Sequence, residues 1–356
     1  MILDEIHYGC RGWSSNEANR GHTRREKVVQ LTEHVPRVWG LTGTPQFGYV
    51  RDWWGQIDAL SKGAATGRDD RLPFAFHVRY AAGAKQPHGW VASGSTRHAE
   101  TEWPKRLAHF MIRHTRAEIA VEMPPKTRQI VRIEADVRPA AQLRLLLSKR
   151  PASDKTKALM LLAAKAKLPA VKENLISELA GEGKSMVVVY NPDTARFYAD
   201  EIERAVRKQD VRARMRQVDA KVWCAHGGIS ADARFNMAKA FREHIGGAVF
   251  VMTIDAFQLG VSLRGATVEH WVDVHHDPAA MLQCEDRPYE PGITRGLTLL
   301  YYIAIGTIDE HRVENVLPKL DSLARVLSDA DAMAVGRTLS AIESEESEAA
   351  ILDRLL

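Results

Sequence analysis

Short apolar runs alternate with helical segments through the second half of this 356-residue chain. The run at 185–190 (SMVVVY) is almost continuously apolar and rich in β-branched residues, as in a parallel strand that is buried on both faces. Further strand-like runs lie at 222–225, 248–253, 269–274 and 296–305. Because strands that alternate with helices indicate a parallel sheet with helical crossovers, we predict a parallel α/β domain over residues 161–325.

The first 60 residues show the same alternation on a smaller scale. Ile2 and Leu3 end an apolar strand, residues 19–33 have a polar helical pattern, and residues 35–41 form a second strand that enters a Thr-Gly-Thr-Pro turn. This order predicts another α/β lobe with ligands at the carboxyl ends of its strands. The predicted organisation is an incomplete first lobe over 1–136 with a helical insertion at about 61–125, a helical linker over 137–160, a complete second lobe over 161–325 and an acidic helical tail over 326–356.

The insertion contains one strong helical pattern. Residues 103–121 (WPKRLAHFMIRHTRAEIAV) have apolar side chains at helical spacing and predict an amphipathic helix with a basic remainder. Residues 61–100 lack clear periodicity and are expected to be irregular and largely exposed, with short helices. Before the insertion, Trp53 and Trp54 lie in a helical pattern, and we expect one of them in the core and the other on the surface.

Composition excludes several classes of protein. No apolar run reaches the roughly 18 residues of a membrane span, and no basic-then-apolar signal peptide begins the chain. The three cysteines are far apart and form no CxxC pair, so the sequence predicts neither a disulfide framework nor a zinc site, and a cytoplasmic location is expected. A net charge of +4 is compatible with nucleic-acid binding without indicating it.

Adjacent carboxylates follow the first strand in Asp4-Glu5-Ile6-His7. A short strand that ends in paired carboxylates is how a P-loop ATPase holds its magnesium ion and orients the attacking water. Taken alone, these four residues equally suit an acidic loop. The Thr42-Gly43-Thr44-Pro45 segment alone is likewise compatible with an ordinary turn.

The order of these and later segments is more specific. LDEIH, VWGLTGTP, and FMIRHTRAEI followed by MPPKTRQIV are succeeded in the second half by VVVY, HGGIS, DAFQLGVSL and QCEDR. Together they resemble the motifs of the SNF2 family of ATP-driven DNA translocases, up to about residue 325. The insertion, with Arg79-Tyr80 and GWVASGST, resembles the annealing-helicase branch of that family.

The resemblance implies two RecA-like α/β lobes that use ATP and Mg²⁺ and bind the DNA backbone with little sequence specificity. Asp4 would hold Mg²⁺ through water, Glu5 would orient and deprotonate the attacking water, and His7 would connect the nucleotide site to Thr42, Gly43 and Thr44. The implied nucleotide-binding residues are Gly260, Gln283, Asp286 and Arg287, with Arg287 stabilising charge on the γ-phosphate. The implied DNA-binding residues are Arg113, Arg116, Lys126, Gly227, Gly228 and Ser262.

Three features depart from the family pattern. The sequence has no GxxxxGK[ST] segment to cradle phosphates, Glu290 stands where the family has a second arginine, and Ser262 stands where an asparagine is common. We therefore expect the C-terminal portion of a SNF2-type translocase, which a separate polypeptide completes with the phosphate loop unless the chain is a truncated gene product. The alternative is a catalytically inactive DNA-binding or regulatory module, and a decaying gene fragment is a third interpretation.

Overall fold

The computed structural model describes residues 1–10, 24–61, 73–86, 89–115, 118, 123–134, 142, 148–149, 151–207, 220–256 and 261–342. The chain forms two compact units. Unit 1 comprises Met1–Thr115, Asp277–Ala279 and Pro318–Gly336, and unit 2 comprises Arg116–His276, Ala280–Leu317 and Arg337–Leu356.

Unit 1 begins with two short parallel strands, β1 (Ile2–Leu3) and β2 (Trp39–Gly40), which pair Ile2 with Trp39. The helices α1 (Ile6–Gly9), α2 (Arg24–Glu33) and α3 (Trp53–Ser61) belong to the same unit. A small core that includes Ile6, Cys10 and Ala59 joins β1 to these helices. A Cβ added at Gly40 would lie 2.9 Å from Ile6 Cδ1, so a larger residue here would displace that side chain.

The insertion is more regular than the sequence predicts. It contains α4 (Pro73–Tyr80), the antiparallel hairpin β3 (Ala81–Gln86) and β4 (Gly89–Ser95), α5 (Arg97–Thr101) and α6 (Trp103–Leu107). The hairpin was not anticipated, since GWVASGS lacks a clean alternation of apolar and polar residues.

An aromatic core holds this part of unit 1 together. Trp103 is 1% exposed, and its ring packs against Phe76 at 5.1 Å and Tyr80 at 5.2 Å between centroids. Trp53 and Trp54 are both buried, at 5% and 2% exposure, so the expectation that one of them lies on the surface is wrong. Both indoles pack into the same group of rings, because Trp53 contacts Trp103 and Trp54 contacts Phe76.

The long helix predicted over residues 103–121 is also wrong, because α6 ends at Leu107. After Leu107, Phe110 and Ile112 are 43% and 84% exposed, so these apolar side chains do not pack against a core that would stabilise a longer helix. Arg113 instead binds the carbonyl oxygen of Leu327 and the carboxylate of Asp329, which fixes an irregular segment.

Unit 2 contains a six-stranded sheet in the order β5-β10-β9-β6-β8-β7, in which every neighbouring pair is parallel. Its elements in chain order are β5 (Lys126–Glu134), α7 (Ala152–Ala180), β6 (Lys184–Val189), α8 (Pro192–Arg207), β7 (Lys221–Ala225), α9 (Ala231–Glu243), β8 (Ala248–Thr253), β9 (Val268–Trp271) and β10 (Leu297–Ile305). The helices α10 (Pro278–Glu285), α11 (Ile308–Leu327) and α12 (Ala330–Ser340) each have residues in both units. The predicted α/β class with a parallel sheet is confirmed.

Two details of unit 2 differ from the predicted organisation. β5 pairs with β10, so the strand placed at the end of the first lobe lies in the second sheet. α7 is one continuous helix of 29 residues in which Pro169 lies inside, where we predicted a linker that ends at residue 160 and a separate later helix. The buried side chains Leu168, Val171 and Leu175 pack this helix into the core of the sheet, which outweighs the one backbone hydrogen bond that proline removes.

Candidate functional site

Asp4 and Glu5 lie immediately after β1. The backbone N–H of Glu5 donates to Asp4 Oδ1 at 3.0 Å, and Asp4 is exposed. Glu5 has φ 47° and ψ 47°, a left-handed conformation that costs a non-glycine residue roughly 1–2 kcal/mol. The next residue, Ile6, is held by a hydrogen bond of its N–H to the Leu41 carbonyl oxygen at 3.1 Å. The strained turn therefore brings the backbone that follows β1 beside the segment that follows β2.

His7 connects the two motif segments of unit 1. Its Nδ1 atom lies 2.6 Å from Thr42 Oγ1 and 3.2 Å from Glu5 Oε2, and the ring is 1% exposed. A carboxylate at this distance favours the tautomer with the proton on Nδ1. Thr42 Oγ1 also accepts the Thr44 N–H at 3.1 Å. The structure thus joins His7, Thr42 and Thr44 by hydrogen bonds and places the Glu5 carboxylate 3.2 Å from the same imidazole nitrogen.

The geometry at Asp4 fits a magnesium ion held through water. An exposed single carboxylate can serve Mg²⁺ when phosphates and waters supply the remaining ligands. Within the described part of the chain, no group of three His, Cys, Asp or Glu side chains could hold a metal ion.

In unit 2, Gln283, Asp286 and Arg287 lie at or just after the end of α10. Gln283 is 9% exposed, and Arg287 is half-buried with its carbonyl oxygen accepting the Leu263 N–H at 2.8 Å. Asp286 Oδ1 receives a hydrogen bond from Lys126 Nζ at 2.7 Å. Asp286 is therefore committed to an ion pair inside the unit, which the sequence pattern did not indicate.

Lys126 does not occupy the surface position expected of a DNA contact. Its side chain is 6% exposed, lies 3.7 Å from Glu285 and faces the Tyr289 ring at 4.7 Å from the centroid. The carboxylate of Asp286 is its closest charged partner, so the charge of the ammonium group is balanced within unit 2, at the edge strand β5. A role in joining β5 to the segment after α10 suits this position better than phosphate binding.

Two buried glutamates near Lys126, Glu269 and Glu285, were not predicted from the sequence. Arg128 forms an ion pair with Glu285 at 2.5 Å, and Glu269 accepts the Trp271 indole N–H at 2.8 Å. Burial, with the nearby Glu285 carboxylate, raises the pKa of Glu269 well above its usual range. The sequence could have indicated this group, because Glu269 lies inside the strand VEHW, and a buried glutamate must be protonated or paired with a cation.

The Gly227-Gly228 segment follows β7 and is exposed. The Gly228 N–H donates to His226 Nδ1 at 3.2 Å, and Arg196 Nη1 lies 3.5 Å from His226 Nε2. Burial lowers the pKa of His226, and the Arg196 charge lowers it further. No described atom lies within 4 Å of a Cβ added at Gly227, so the backbone here is open to a large ligand.

Ser262 and Glu290, the two substituted motif positions, are in contact. Ser262 Oγ donates to Glu290 Oε2 at 2.9 Å. The acidic residue that replaces the expected arginine therefore binds the serine that replaces the expected asparagine.

Three predicted site residues remain: Arg113 and Arg116, which were expected to bind DNA, and Gly260, which was expected to bind the nucleotide. Arg113 forms an ion pair with Asp329 at 2.6 Å within unit 1 and is 27% exposed. Arg116 and Gly260 lie outside the described residues.

Comparison with known proteins places the motifs in a family context. The chain is 26% identical over 324 residues to the DNA annealing helicase and endonuclease ZRANB3 of Bos taurus, which covers 87% of this chain and 28% of the relative. It is 25% identical over 344 residues to the SWI/SNF-related matrix-associated actin-dependent regulator of chromatin subfamily A-like protein 1 of Xenopus tropicalis, covering 93% of this chain and 34% of the relative. The chain is homologous to SNF2-family annealing helicases. The relationship predicted from the motifs is confirmed.

The chain spans about a third of the length of these curated relatives, and no protein-family model matches it. Among solved structures, the C-terminal part of the Fun30 ATPase domain has a TM-score of 0.43 and 14% identity, covering 65% of this chain and 100% of that chain. The Sulfolobus solfataricus SWI2/SNF2 ATPase core in complex with dsDNA has a TM-score of 0.42 and 17% identity, covering 96% and 72%.

The structure also bears on membrane association. Among the residues that the structure describes, no helix combines the length and the apolar character that crossing a bilayer requires.

Proposed function

We propose that this chain is the part of a SNF2-type, DNA-dependent ATPase core that runs from the magnesium-binding motif to the γ-phosphate arginine. It would couple ATP hydrolysis to movement along DNA. The observation that carries the proposal is the contact of His7 with Thr42 at 2.6 Å, because it joins the two motif segments at the carboxyl ends of paired parallel strands. Ligands bind at such strand ends.

The roles of the residues follow from this arrangement. Mg²⁺, when bound with ATP, would offset the negative charge of the β- and γ-phosphates. Asp4 would hold the water shell of the ion, and Glu5 would accept a proton from the attacking water. A shift of Thr42 with the state of the phosphate would reach Glu5 through the His7 ring, which lies within 3.2 Å of both side chains.

A phosphate-binding segment from outside these 356 residues is part of the proposal, since the sequence contains no GxxxxGK[ST]. The outward face of the β1–β2 pair supports this view. Ile2, Trp39 and Leu41 are 69%, 62% and 52% exposed, although parallel strands are normally covered on both faces. We propose that a separate polypeptide carrying the phosphate loop covers this face.

DNA would bind through its phosphates, with little base readout. The proposed contacts are the exposed Gly227-Gly228 segment, Ser262 and the basic segment around Arg116. Affinity should then fall steeply with salt, because each phosphate contact releases counterions.

A second candidate function, a DNA-binding module without turnover, is favoured by one observation. This chain has Glu290 where the family pattern would have a second arginine, and the Glu290 carboxylate accepts the Ser262 hydroxyl. Losing an arginine finger costs about 10³–10⁵ in rate in related NTPases.

The decisive experiment measures ATP hydrolysis with and without duplex DNA. It uses this chain alone and mixed with the polypeptide encoded immediately upstream, provided that polypeptide contains GxxxxGK[ST]. We expect DNA-stimulated turnover in the mixture and a loss of at least about 100-fold in Glu5→Gln. Glu173→Gln, an exposed change on α7 with the same effect on net charge, is the matched control. No turnover in the mixture with DNA binding intact would favour the module, and unchanged turnover in Glu5→Gln would refute the site.

A further inference from the structure

Three charged side chains of unit 2 bind at or near the segment around Ser262. Arg242 Nη1 donates to the Ser262 carbonyl oxygen at 2.7 Å, and Arg264 Nη2 donates to the Gly292 carbonyl oxygen. The Arg264 N–H also lies 3.3 Å from Ser262 Oγ. Both guanidinium groups thus bind neutral carbonyl oxygens here, so these bonds leave their positive charges uncompensated.

Such a group of donors is suited to an anion. The Ser262 hydroxyl is a donor that an anion can accept from, while the two guanidinium groups bind the carbonyl oxygens of Ser262 and Gly292. In this structure the anionic group at the segment is the side chain of Glu290. Glu290 Oε2 accepts the Ser262 hydroxyl at 2.9 Å, and both residues are only partly buried.

We infer that the Glu290 carboxylate occupies a phosphate position and competes with the DNA backbone for the Ser262 hydroxyl. The inference rests on the proposed DNA-binding function and deepens it. A serine hydroxyl has a single proton to donate, so it cannot serve Glu290 and a phosphodiester oxygen at once. A phosphate that approaches Ser262 must displace Glu290 and also meets its charge. The contact therefore restrains DNA binding at this loop.

The test measures the affinity of the chain for a fluorescently labelled DNA duplex at low salt. Glu290→Gln keeps the shape and removes the charge, and we expect affinity to rise about fivefold. Glu290→Ala also releases the hydroxyl and should bind more tightly still, with a steeper salt dependence by up to about one phosphate contact. Glu173→Gln, an exposed change on α7 with the same effect on net charge, should leave affinity within about twofold.

A double-mutant cycle separates competition from a simple charge effect. If Glu290 holds the hydroxyl, Ser262→Ala should cost about fivefold more affinity in the Glu290→Ala background than in the wild-type chain. Equal costs in the two backgrounds would overturn the inference. So would a Glu290→Gln affinity equal to that of the wild type, or equal gains from Glu290→Gln and Glu173→Gln.

The experiment also separates this inference from the proposed function. If the wild-type chain and all the variants fail to bind duplex DNA, the proposed DNA binding is wrong, whereas a wild type that binds without response to Glu290 refutes only the inference. Titrations with ATP and with inorganic phosphate test the source of the phosphate. Gains in Glu290→Gln that appear for these ligands and not for DNA would contradict the assignment to the DNA backbone.

Discussion

Replacing Lys167 with methionine tests a fully buried charge of unit 2. The lysine side chain is 0% exposed, and its Nζ donates to Asp309 Oδ2 at 2.6 Å and lies 3.7 Å from Asp273 Oδ1. It also donates to the Val272 carbonyl oxygen. Asp273 in turn accepts the Tyr190 N–H at 2.8 Å, so one ammonium group supports the ends of β6 and β9.

The magnitude follows from what the substitution leaves behind. Methionine fills most of the volume but leaves two carboxylates, at 0% and 1% side-chain exposure, without their cation. Removing one partner of a buried ion pair costs about 3–5 kcal/mol, a large share of the stability of an ordinary domain. Lys157→Met, an exposed change on the same helix, should cost less than about 0.5 kcal/mol.

The loss should depend on pH in a defined direction. Burial raises the pKa of Asp273, and Lys167 partly opposes that shift. Without Lys167 the folded-state pKa moves further above the unfolded value, so the folded state binds more protons and its stability falls as pH rises. The deficit of Lys167→Met should therefore shrink toward acidic pH.

Urea unfolding followed by far-ultraviolet circular dichroism measures the effect at several pH values. A deficit below about 1 kcal/mol at neutral pH, or one that grows on acidification, would refute the reasoning.

Three further predictions concern packing and titration. Gly40→Ala should destabilise unit 1 by about 1–3 kcal/mol, because the new Cβ would lie 2.9 Å from a methyl group of the buried Ile6. The control is Gly43→Ala, whose new Cβ meets no described atom within 4 Å. Thermal unfolding compares the stability of the two variants. Trp103→Ala should cost about 3–5 kcal/mol in urea unfolding, and Trp39→Ala, at 62% exposure, far less. Because the folded-state pKa of Glu269 is raised, its contribution to stability falls as pH rises, and Glu269→Gln should flatten the dependence of unfolding free energy on pH.

The sequence predicted the sheet of unit 2 well, for a physical reason. Strands such as β6 and β8 are buried on both faces, so they must be continuously apolar, and such runs are visible without a structure. The helix predicted over residues 103–121 failed because its apolar spacing continues past Leu107, although no core continues there. Spacing indicates a possible face, but only tertiary packing decides whether that face is covered.

The candidate site could be predicted only in part. The motif order placed the carboxylate pair and the threonine turn in one region, and the structure adds the distance between His7 and Thr42. The pairing of Lys126 with Asp286 was not foreseeable, because the two residues are 160 positions apart and each resembles a surface charge in its local sequence. Long-range ion pairs leave no trace in local patterns.

The proposed function requires that the chain bind DNA through the backbone phosphates. The salt dependence of duplex binding by the wild-type chain tests this requirement most directly. We predict binding that is indifferent to base sequence, with an affinity whose logarithm falls linearly with the logarithm of salt concentration at a slope of several units. Absence of binding at low salt, or an affinity that depends on base sequence and not on salt, would contradict the account.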